Sequence, residues 1–312
     1  MQAFKNLKMN LTQTRIIRQV ITVIVISLFT LTSCKTSQIG TSTQDISLKE
    51  RVTKRHSKLN KKQTSIDRLT EYEFIHSDIP AAFDNKTILF ISDLHYPSLF
   101  KKEDIYKLSS YLGTLEYDIL CLGGDYHENT SLIDPLFDEL GKHIPMLGAY
   151  AVLGNNDYER GYKEVLNALV RNNIKPLEHE VAEIKYKRDK IYIGGIRNPF
   201  DLKTNSISPT LKLKDKDFVI LLTHTPDYAE DVSIRNTDLA LAGHTHGGQV
   251  RILGVAPIIP SKYKDRFLTG LKYNSANIPL IITNGIGTSN KNIRIGAPSE
   301  VVLIHLKRAG NK

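Results

Sequence analysis

Cysteine is scarce in this chain, with only Cys34 and Cys121 among 312 residues. Two cysteines build no disulfide framework, and a chain of this length needs none to stabilise its core. Cys121 lies within an apolar run typical of a strand, where a buried thiol is expected to be inert. Without thiolate ligands, a metal site must use imidazole, carboxylate or amide groups. These groups suit borderline or hard divalent ions such as Mn, Fe, Zn or Ni.

Acidic residues are nearly missing from the first 70 positions, which hold 13 Lys or Arg but only three Asp or Glu. Of the 42 basic and 33 acidic residues in the chain, 29 and 30 therefore lie beyond this segment. The net charge of +9 belongs to the N-terminal part, and the near-neutral remainder argues against a nucleic-acid partner. A basic segment of this kind favours contact with a membrane surface.

The chain also lacks an apolar run of about 20 residues, the length that a transmembrane helix needs. The apolar run near the N-terminus, residues 20–31, has 12 residues and is typical of the core of a secretory signal. It ends in Leu-Thr-Ser-Cys at 31–34, which resembles the lipobox of bacterial lipoproteins. The resemblance implies a signal peptide over 1–33 and a lipidated Cys34, with an uncleaved signal anchor as the alternative. Both predict membrane attachment, and we expect the body to face the periplasm or the cell exterior.

Residues 34–70 are rich in Ser, Thr, Gln and Lys and predict a basic, flexible tether. From residue 71 onward, apolar strand patterns alternate with helical patterns, and strands then dominate. The predicted helices cover about 102–115, 133–143 and 159–172. The predicted strands are 72–75, 86–92, 119–123, 148–153, 183–187, 190–196, 217–223, 237–242, 249–252, 280–283 and 300–306. This order predicts one α/β domain over 71–312, an α+β sandwich of two packed mixed β-sheets flanked by helices.

Several predicted strands end in side chains of the types that bind metal ions. These candidate ligands are Asp93, His95, Asp125, Asn155, His224, His244 and His246. Each follows an apolar run, so each is expected where a strand leaves the core, at the edge where α/β sheets form their sites. Any one of them also fits a turn or a helix cap. Together they predict two divalent ions that share a carboxylate.

The order of these motifs, D-x-H, G-D, G-N-x-D, H and G-H-x-H, resembles the calcineurin-like metallophosphoesterase superfamily. The sequence GHTHGGQ at 243–249 and the sequence NGIGTS at 284–289 are similar to its membrane-associated branch. The resemblance implies a double β-sandwich, in agreement with the strand pattern. It also implies one ion held by Asp93, His95, Asp125 and His246. The second ion would be held by Asp125, Asn155, His224 and His244.

Position 156 departs from the family pattern, which has a histidine here that is oriented by the acid at 157. Asn156 cannot donate a proton as an acid, although its amide can hydrogen-bond an oxyanion. General acid catalysis contributes about 10²–10⁴-fold, so the difference matters. Three hypotheses remain open: a leaving group that needs no acid, substitution by His127, or a protein that binds metal without catalysis. Asn156, Asp157 and His127 are therefore the catalytic candidates, and Arg294 is a candidate phosphate ligand or a structural ion pair.

These patterns predict a membrane-tethered enzyme that hydrolyses a phosphodiester or pyrophosphate bond by metal-activated hydroxide. The tether favours a lipid or cell-envelope substrate. A lipid-linked nucleotide pyrophosphatase of the UDP-diacylglucosamine hydrolase type is an alternative, although its substrate is made on the cytoplasmic side and export would separate the two. A non-catalytic, metal-binding lipoprotein is the other alternative. The sequence leaves the oligomeric state open.

Overall fold

The computed structural model describes residues 50–310 of the chain. The predicted signal peptide (1–33), Cys34 and the first part of the predicted tether lie outside the described residues. Within the described part, no helix combines the length and the apolar character needed to span a bilayer.

Thirteen strands and six α-helices make up the described part of the chain. The strands are β1 (Glu50–Lys58), β2 (Arg68–His76), β3 (Thr87–Ile91), β4 (Ile119–Leu122), β5 (Ala149–Ala151), β6 (Ile174–Pro176), β7 (Glu180–Tyr186), β8 (Asp189–Gly195), β9 (Val219–Leu222), β10 (Leu239–Ala242), β11 (Gly270–Tyr273), β12 (Pro279–Ile282) and β13 (Glu300–Arg308). The helices are α1 (Lys61–Thr64), α2 (Asp104–Leu112), α3 (Ile133–Leu140), α4 (Asn155–Glu159), α5 (Tyr162–Arg171) and α6 (Tyr228–Asp231).

The strands form two mixed sheets. The first sheet has the order β1-β2-β13-β3-β4-β5-β6, and the second has the order β11-β12-β10-β9-β8-β7. Strands β3 to β6 run parallel in the first sheet, as do β8, β9, β10 and β12 in the second. The carboxyl ends of parallel strands meet at one edge of each sheet, and this edge carries the site.

The central strands are apolar on both faces because both faces are covered. All residues of β3, β4, β9 and β10 are buried, as expected for parallel strands inside a layered fold. Between the sheets, Phe90 and Val302 of the first pack in one core with Ile220 and Leu241 of the second. Helices α2, α3 and α5 cover the outer face of the first sheet. Two packed mixed sheets flanked by helices confirm the predicted fold class.

Residues 50–70 correct the predicted boundary of the tether, because they belong to the folded domain. Strand β1 pairs with β2 along its whole length, from Glu50 opposite His76 to Lys58 opposite Arg68. Most side chains of β1 are exposed, so the strand has no apolar alternation for a sequence pattern to detect. Backbone hydrogen bonds to β2 hold it instead.

The predicted strand over 249–252 is wrong, and strands β6 and β11 and helices α1, α4 and α6 were not predicted. Instead of a strand, this segment forms only isolated bridges from Val250 to Ile295 and from Ile252 to Val255. Gly247 and Gly248 turn the chain with positive φ angles of 59° and 77°. Ile252, one of the apolar side chains that suggested a strand, is exposed to solvent rather than packed in a core.

Candidate metal centre

The loops at the carboxyl edge of both sheets bring the seven predicted ligands together. Asp93 and His95 follow β3, Asp125 follows β4, and Asn155 begins α4 just after β5. From the second sheet, His224 follows β9, whereas His244 and His246 follow β10. Their role as ligands stays a prediction, but the expected meeting of strand ends is observed.

Six of the seven side chains form two groups, each with its ligand atoms in close contact. In the first, Nε2 of His246 lies 3.5 Å from Oδ1 of Asp93 and 3.1 Å from Nε2 of His95. In the second, Nε2 of His224 lies 3.4 Å from Oδ2 of Asp125. The same Asp125 oxygen lies 3.4 Å from Nε2 of His95, so this carboxylate stands between the groups.

These contacts fit divalent ions better than they fit ordinary hydrogen bonds. Ligand atoms that share an ion at about 2.0–2.2 Å lie roughly 3–3.5 Å from one another, the range observed here. The Oδ1 atom of Asn155 is buried and has no hydrogen-bond partner among the described residues. An amide oxygen left in this state costs free energy unless it finds a partner, and a cation supplies one.

The local electrostatics keep two imidazoles in the form that binds metals. Burial and the neighbouring charge of His224 lower the pKa of His244 to about 3, whereas Asp125 raises the pKa of His224 to about 10 against the effect of its burial. Burial and the charge of His95 lower the pKa of His246 well below its ordinary value. Both rings are therefore neutral at about pH 7, with a lone pair available to a cation.

The backbone at five of the candidate ligands lies in the left-handed region, which non-glycine residues seldom adopt. The φ angles are 53° at Asp93, 43° at His95, 53° at Asp125, 68° at His244 and 52° at His246. Each such residue costs about 1–2 kcal/mol relative to a right-handed conformation. Strain concentrated on these residues indicates a functional site.

A second layer of hydrogen bonds orients the ligands. The Nδ1 atom of His224 donates to the carbonyl of Gly123 at 2.8 Å, and Nδ1 of His95 lies 2.6 Å from Oε1 of Glu128. Both contacts leave Nε2 of the ring facing the other ligands. Glu128 was not predicted from the sequence. Its only signal is its place three residues after Asp125 on the same loop.

Asp157 acts on the ligand loops through the backbone. Its carboxylate accepts N–H donors from Asp125 at 2.8 Å, Tyr126 at 3.0 Å and Gly154 at 2.9 Å. Burial and the charge of Asp125 raise the pKa of Asp157 to about 7. The resemblance implied that this acid orients residue 156, whereas here it ties together the loops after β4 and β5.

Asn156 lies at the site, and its side chain is engaged with Glu128. Its backbone N–H donates to Oδ1 of Asp125 at 2.9 Å, and its Nδ2 donates to Oε1 of Glu128 at 3.0 Å. His127 is only 1% exposed, lies against Gly161 and makes no side-chain hydrogen bond of normal geometry within the described part. It does not line the pocket beside the ligands.

Two side chains join the loops around the second sheet. Arg294 donates to the backbone carbonyls of Asn284, Gly287, Ala297 and His246. Carbonyl oxygens take its donors, so within residues 50–310 it is placed neither as a free phosphate ligand nor as one half of an ion pair. Gln249 bonds the backbone of Ser289 and Lys291.

A pocket of about 290 Å³ opens beside the candidate ligands. Asp125, Asn155, His244 and His246 form its polar floor. The rest of its wall is mostly apolar and comes from the loops after β10 and β12, namely Val250, Pro257, Ile258, Pro260 and Ile293. A substrate can therefore reach the ligand atoms from outside, with an apolar group against the wall.

With the fold and the site in view, the comparisons with known proteins define the class. The model of the calcineurin-like phosphoesterase family matches residues 86–248, just over half of the chain. The chain belongs to this family. It is a metal-dependent phosphoric ester hydrolase, since the family uses divalent metals for this reaction.

Among its relatives, an uncharacterized metallophosphoesterase of Aquifex aeolicus (strain VF5) is 28% identical over 256 residues, covering 80% of this chain and 95% of the relative. Phosphodiesterase YaeI of Escherichia coli (strain K12) is 29% identical over 232 residues, 70% of this chain and 81% of the relative. A solved structure, a 5'-nucleotidase precursor from Thermus thermophilus, aligns with a TM-score of 0.43 and 13% identity. That alignment covers 70% of this chain and 54% of the nucleotidase, and it does not bear on the substrate.

Proposed function

We propose that this enzyme hydrolyses a phosphodiester or pyrophosphate bond with two divalent ions, drawn from Mn, Fe, Zn and Ni. The convergence of seven ligand-type side chains from the carboxyl edges of both sheets carries the proposal. The unpartnered oxygen of Asn155 and the central position of Asp125 support a count of two ions. When bound, such ions polarise the phosphoryl group and lower the pKa of water to supply a hydroxide nucleophile.

The side chains of this protein position the reacting groups. Asp125 spans the two groups, and Asp157 fixes the loops that present Asp125 and Asn155. The neutral rings of His244 and His246 offer lone pairs rather than positive charge. Glu128 holds His95 with Nε2 directed at the site. This pre-organisation fixes the side chains that would hold the ions, so that the site would need little reorganisation during the reaction.

The surroundings of Asn156 favour a substrate with a good leaving group. An amide does not protonate a leaving oxygen, and the histidine suggested as a substitute, His127, is buried away from the pocket. A phosphate or a nitrophenolate departs without an acid, whereas a simple alkoxide does not. This supports pyrophosphates, and diesters with an acidic leaving group, over esters of simple alcohols.

We further propose that the enzyme works at a membrane. The lipobox-like sequence at 31–34 and the basic segment that follows support a tether. The GHTHGGQ sequence at 243–249 supports the membrane-associated branch and, with it, a lipid-linked pyrophosphate as one specific substrate.

The decisive experiment is hydrolysis of bis(p-nitrophenyl) phosphate by the full chain in detergent with Mn²⁺, Fe²⁺, Zn²⁺ or Ni²⁺. Asp125→Asn removes the central carboxylate and is expected to lower the rate by at least about 10³-fold. Asp217→Asn, before β9 and at the opposite edge of the sheet, is the matched control and retains the rate. If no diester or pyrophosphate is hydrolysed with any of these metals, the proposed reaction is wrong.

Asn156→His tests the leaving-group argument. If an acid is missing, the variant gains activity on alkyl monoesters by about 10²-fold or more, while activity on p-nitrophenyl diesters changes little. Equal activity of the two proteins on alkyl monoesters would contradict the role assigned to position 156.

A further inference from the structure

Exposed apolar side chains are concentrated on the two loops that flank the pocket. Six of the twelve large apolar side chains that are exposed in the described part lie on these loops. We call this set the apolar rim; it consists of Ile252, Leu253, Val255, Ile258, Ile293 and Ile295. Leu253 is fully exposed, and Ile258 is 78% exposed. Single exposed apolar residues are common, but a cluster of this kind marks an interaction surface.

Backbone contacts place the members of the rim side by side. Ile252 and Val255 bond each other across a tight turn, with Leu253 at its tip. This turn is joined to the second loop by the N–H of Arg251, which donates to the carbonyl of Ile295 at 2.7 Å. These contacts join Ile252, Leu253, Val255 and Ile295 into one exposed surface rather than several scattered residues.

The apolar rim continues into the pocket. Ile258 and Ile293 belong to the rim and also line the pocket together with His244 and His246. A molecule that covers the rim therefore covers the mouth of the pocket. The occupant must have an apolar part that reaches the rim and a phosphoryl group that reaches the ligands.

The charge of this region limits the kind of occupant. Between residues 239 and 299 seven residues are Lys or Arg, of which Lys262 and Arg266 pair with Asp231 and Glu230 and Arg294 is engaged by backbone carbonyls. Lys291 stands at the pocket itself, and Arg251 adjoins the rim. Apolar side chains at an exposed turn, with Lys291 and Arg251 beside them, match the interfacial layer of a bilayer with anionic headgroups.

We propose that the apolar rim inserts into an anionic lipid bilayer and so places the mouth of the pocket at the level of the headgroup phosphates. The substrate class that follows is a phosphodiester or pyrophosphate carried by a membrane lipid; this part rests on the proposed function, whereas insertion does not. The rim acts in addition to the predicted lipid anchor.

Insertion can be measured directly because the chain contains no tryptophan. Leu253→Trp therefore puts a single fluorophore at the tip of the rim. Met146→Trp is the matched control, since Met146 is 71% exposed and precedes β5 at the opposite edge of the sheet. Both full-length variants are reconstituted on phosphatidylglycerol-containing vesicles, so that the anchor is common to both.

The emission of Leu253→Trp is expected to shift to shorter wavelength and to be quenched by brominated acyl chains, while that of Met146→Trp is unchanged. Water-like emission from both variants on vesicles would overturn the proposal. So would a shift of Leu253→Trp that is already present without lipid. In that case the rim is covered by a second copy if the shift depends on protein concentration, and by another part of the chain if it does not.

A paired activity assay separates docking from chemistry. Leu253 and Val255 do not line the pocket, so Leu253→Asp combined with Val255→Asp is expected to leave hydrolysis of bis(p-nitrophenyl) phosphate unchanged. Hydrolysis of a pyrophosphate-linked lipid in vesicles is expected to fall about tenfold or more. Equal activity of this double variant and the native chain on vesicles contradicts docking. If the native chain hydrolyses neither substrate, the proposed function fails, and the fluorescence result still decides insertion.

Discussion

At the scale of single residues, the candidate centre depends on positions where a side chain has no room. Gly154 directly precedes Asn155, and a Cβ there would overlap Oδ1 of Asp125. A Cβ on Gly243, which directly precedes His244, would overlap Oδ2 of Asp93. Both glycines therefore leave space for a ligand carboxylate, which explains why the G-N-x-D and G-H-x-H motifs begin with glycine.

Gly154→Ala is expected to displace Asp125 and to lower diesterase activity by at least about 10²-fold, because displacement by about 1 Å costs this much. Overpacking also lowers the free energy of unfolding by about 1–3 kcal/mol. Gly310→Ala, where an added Cβ meets no atom, is the control. Steady-state rates and urea unfolding measure the two effects, and full activity in Gly154→Ala would refute the steric argument.

Glu128 illustrates a residue that acts through a ligand rather than at the pocket. Glu128→Gln keeps the size of the side chain but removes the negative charge beside Nδ1 of His95. We expect metal affinity to fall about 10–100-fold and activity to recover at saturating metal. Glu71→Gln is the matched control, because Glu71 lies 3.2 Å from His305 in a Glu–His pair on the first sheet. An unchanged metal titration would show that Glu128 does not position His95.

At the scale of the elements, β1 shows why an edge strand is not detected from a sequence pattern. Its sequence, ERVTKRHSK, is typical of a charged linker, yet the strand pairs with β2 over nine residues. The ion pair between Arg55 and Glu71, at 2.7 Å, adds a contact between side chains across the pair. The stability of such a strand lies in its backbone hydrogen bonds, which sequence composition does not report.

A chain that begins at residue 69 lacks β1 and the start of β2, whereas one that begins at residue 47 keeps the whole compact unit. We expect the shorter chain to lose about 3 kcal/mol of stability through lost backbone hydrogen bonds. This corresponds to a fall in Tm of roughly 6–12 °C. Differential scanning calorimetry compares the two chains, and equal Tm values would show that β1 adds nothing to the fold.

At the scale of the whole molecule, ion binding and folding are expected to be linked. The two ligand groups join loops of both sheets, and several of these loops are strained. Metal at about 100 times its dissociation constant adds roughly 2.7 kcal/mol of stability, or about 5–10 °C in Tm. A chelator should reverse the gain, and Asp125→Asn should not show it. A Tm that is independent of metal would contradict the assignment of the ligands.

Attachment to the membrane is expected to depend on Cys34. Cys34→Ala removes the proposed lipidation site and should abolish incorporation of a radiolabelled fatty acid in a bacterial host. Cys121→Ala, which changes a buried thiol in β4, is the control and should keep the label. A Cys34→Ala chain that still carries the lipid would show that the sequence at 31–34 is not a lipobox.

Much of the fold and the position of the site was predictable, and particular residues show why. His224 and His244 end runs of strongly apolar residues, so local composition marks both the strand and its exit. Glu128 follows no such run, and nothing local distinguishes it from a surface acid. The rim residue Ile252 shows the opposite error, since an apolar residue predicted in a strand is exposed.

The sequence by itself determined which strands are buried on both faces and which polar side chains end them, because both properties depend on residues adjacent in the chain. Only the tertiary structure decided which ligands face one another. His95 and His246 stand 151 positions apart, and their contact requires the strand order of both sheets and the packing of one sheet on the other. The pairing of β1 in the first sheet and the exposure of the apolar rim were likewise decided only by the tertiary structure. Pairing and burial depend on distant partners, which no local pattern contains.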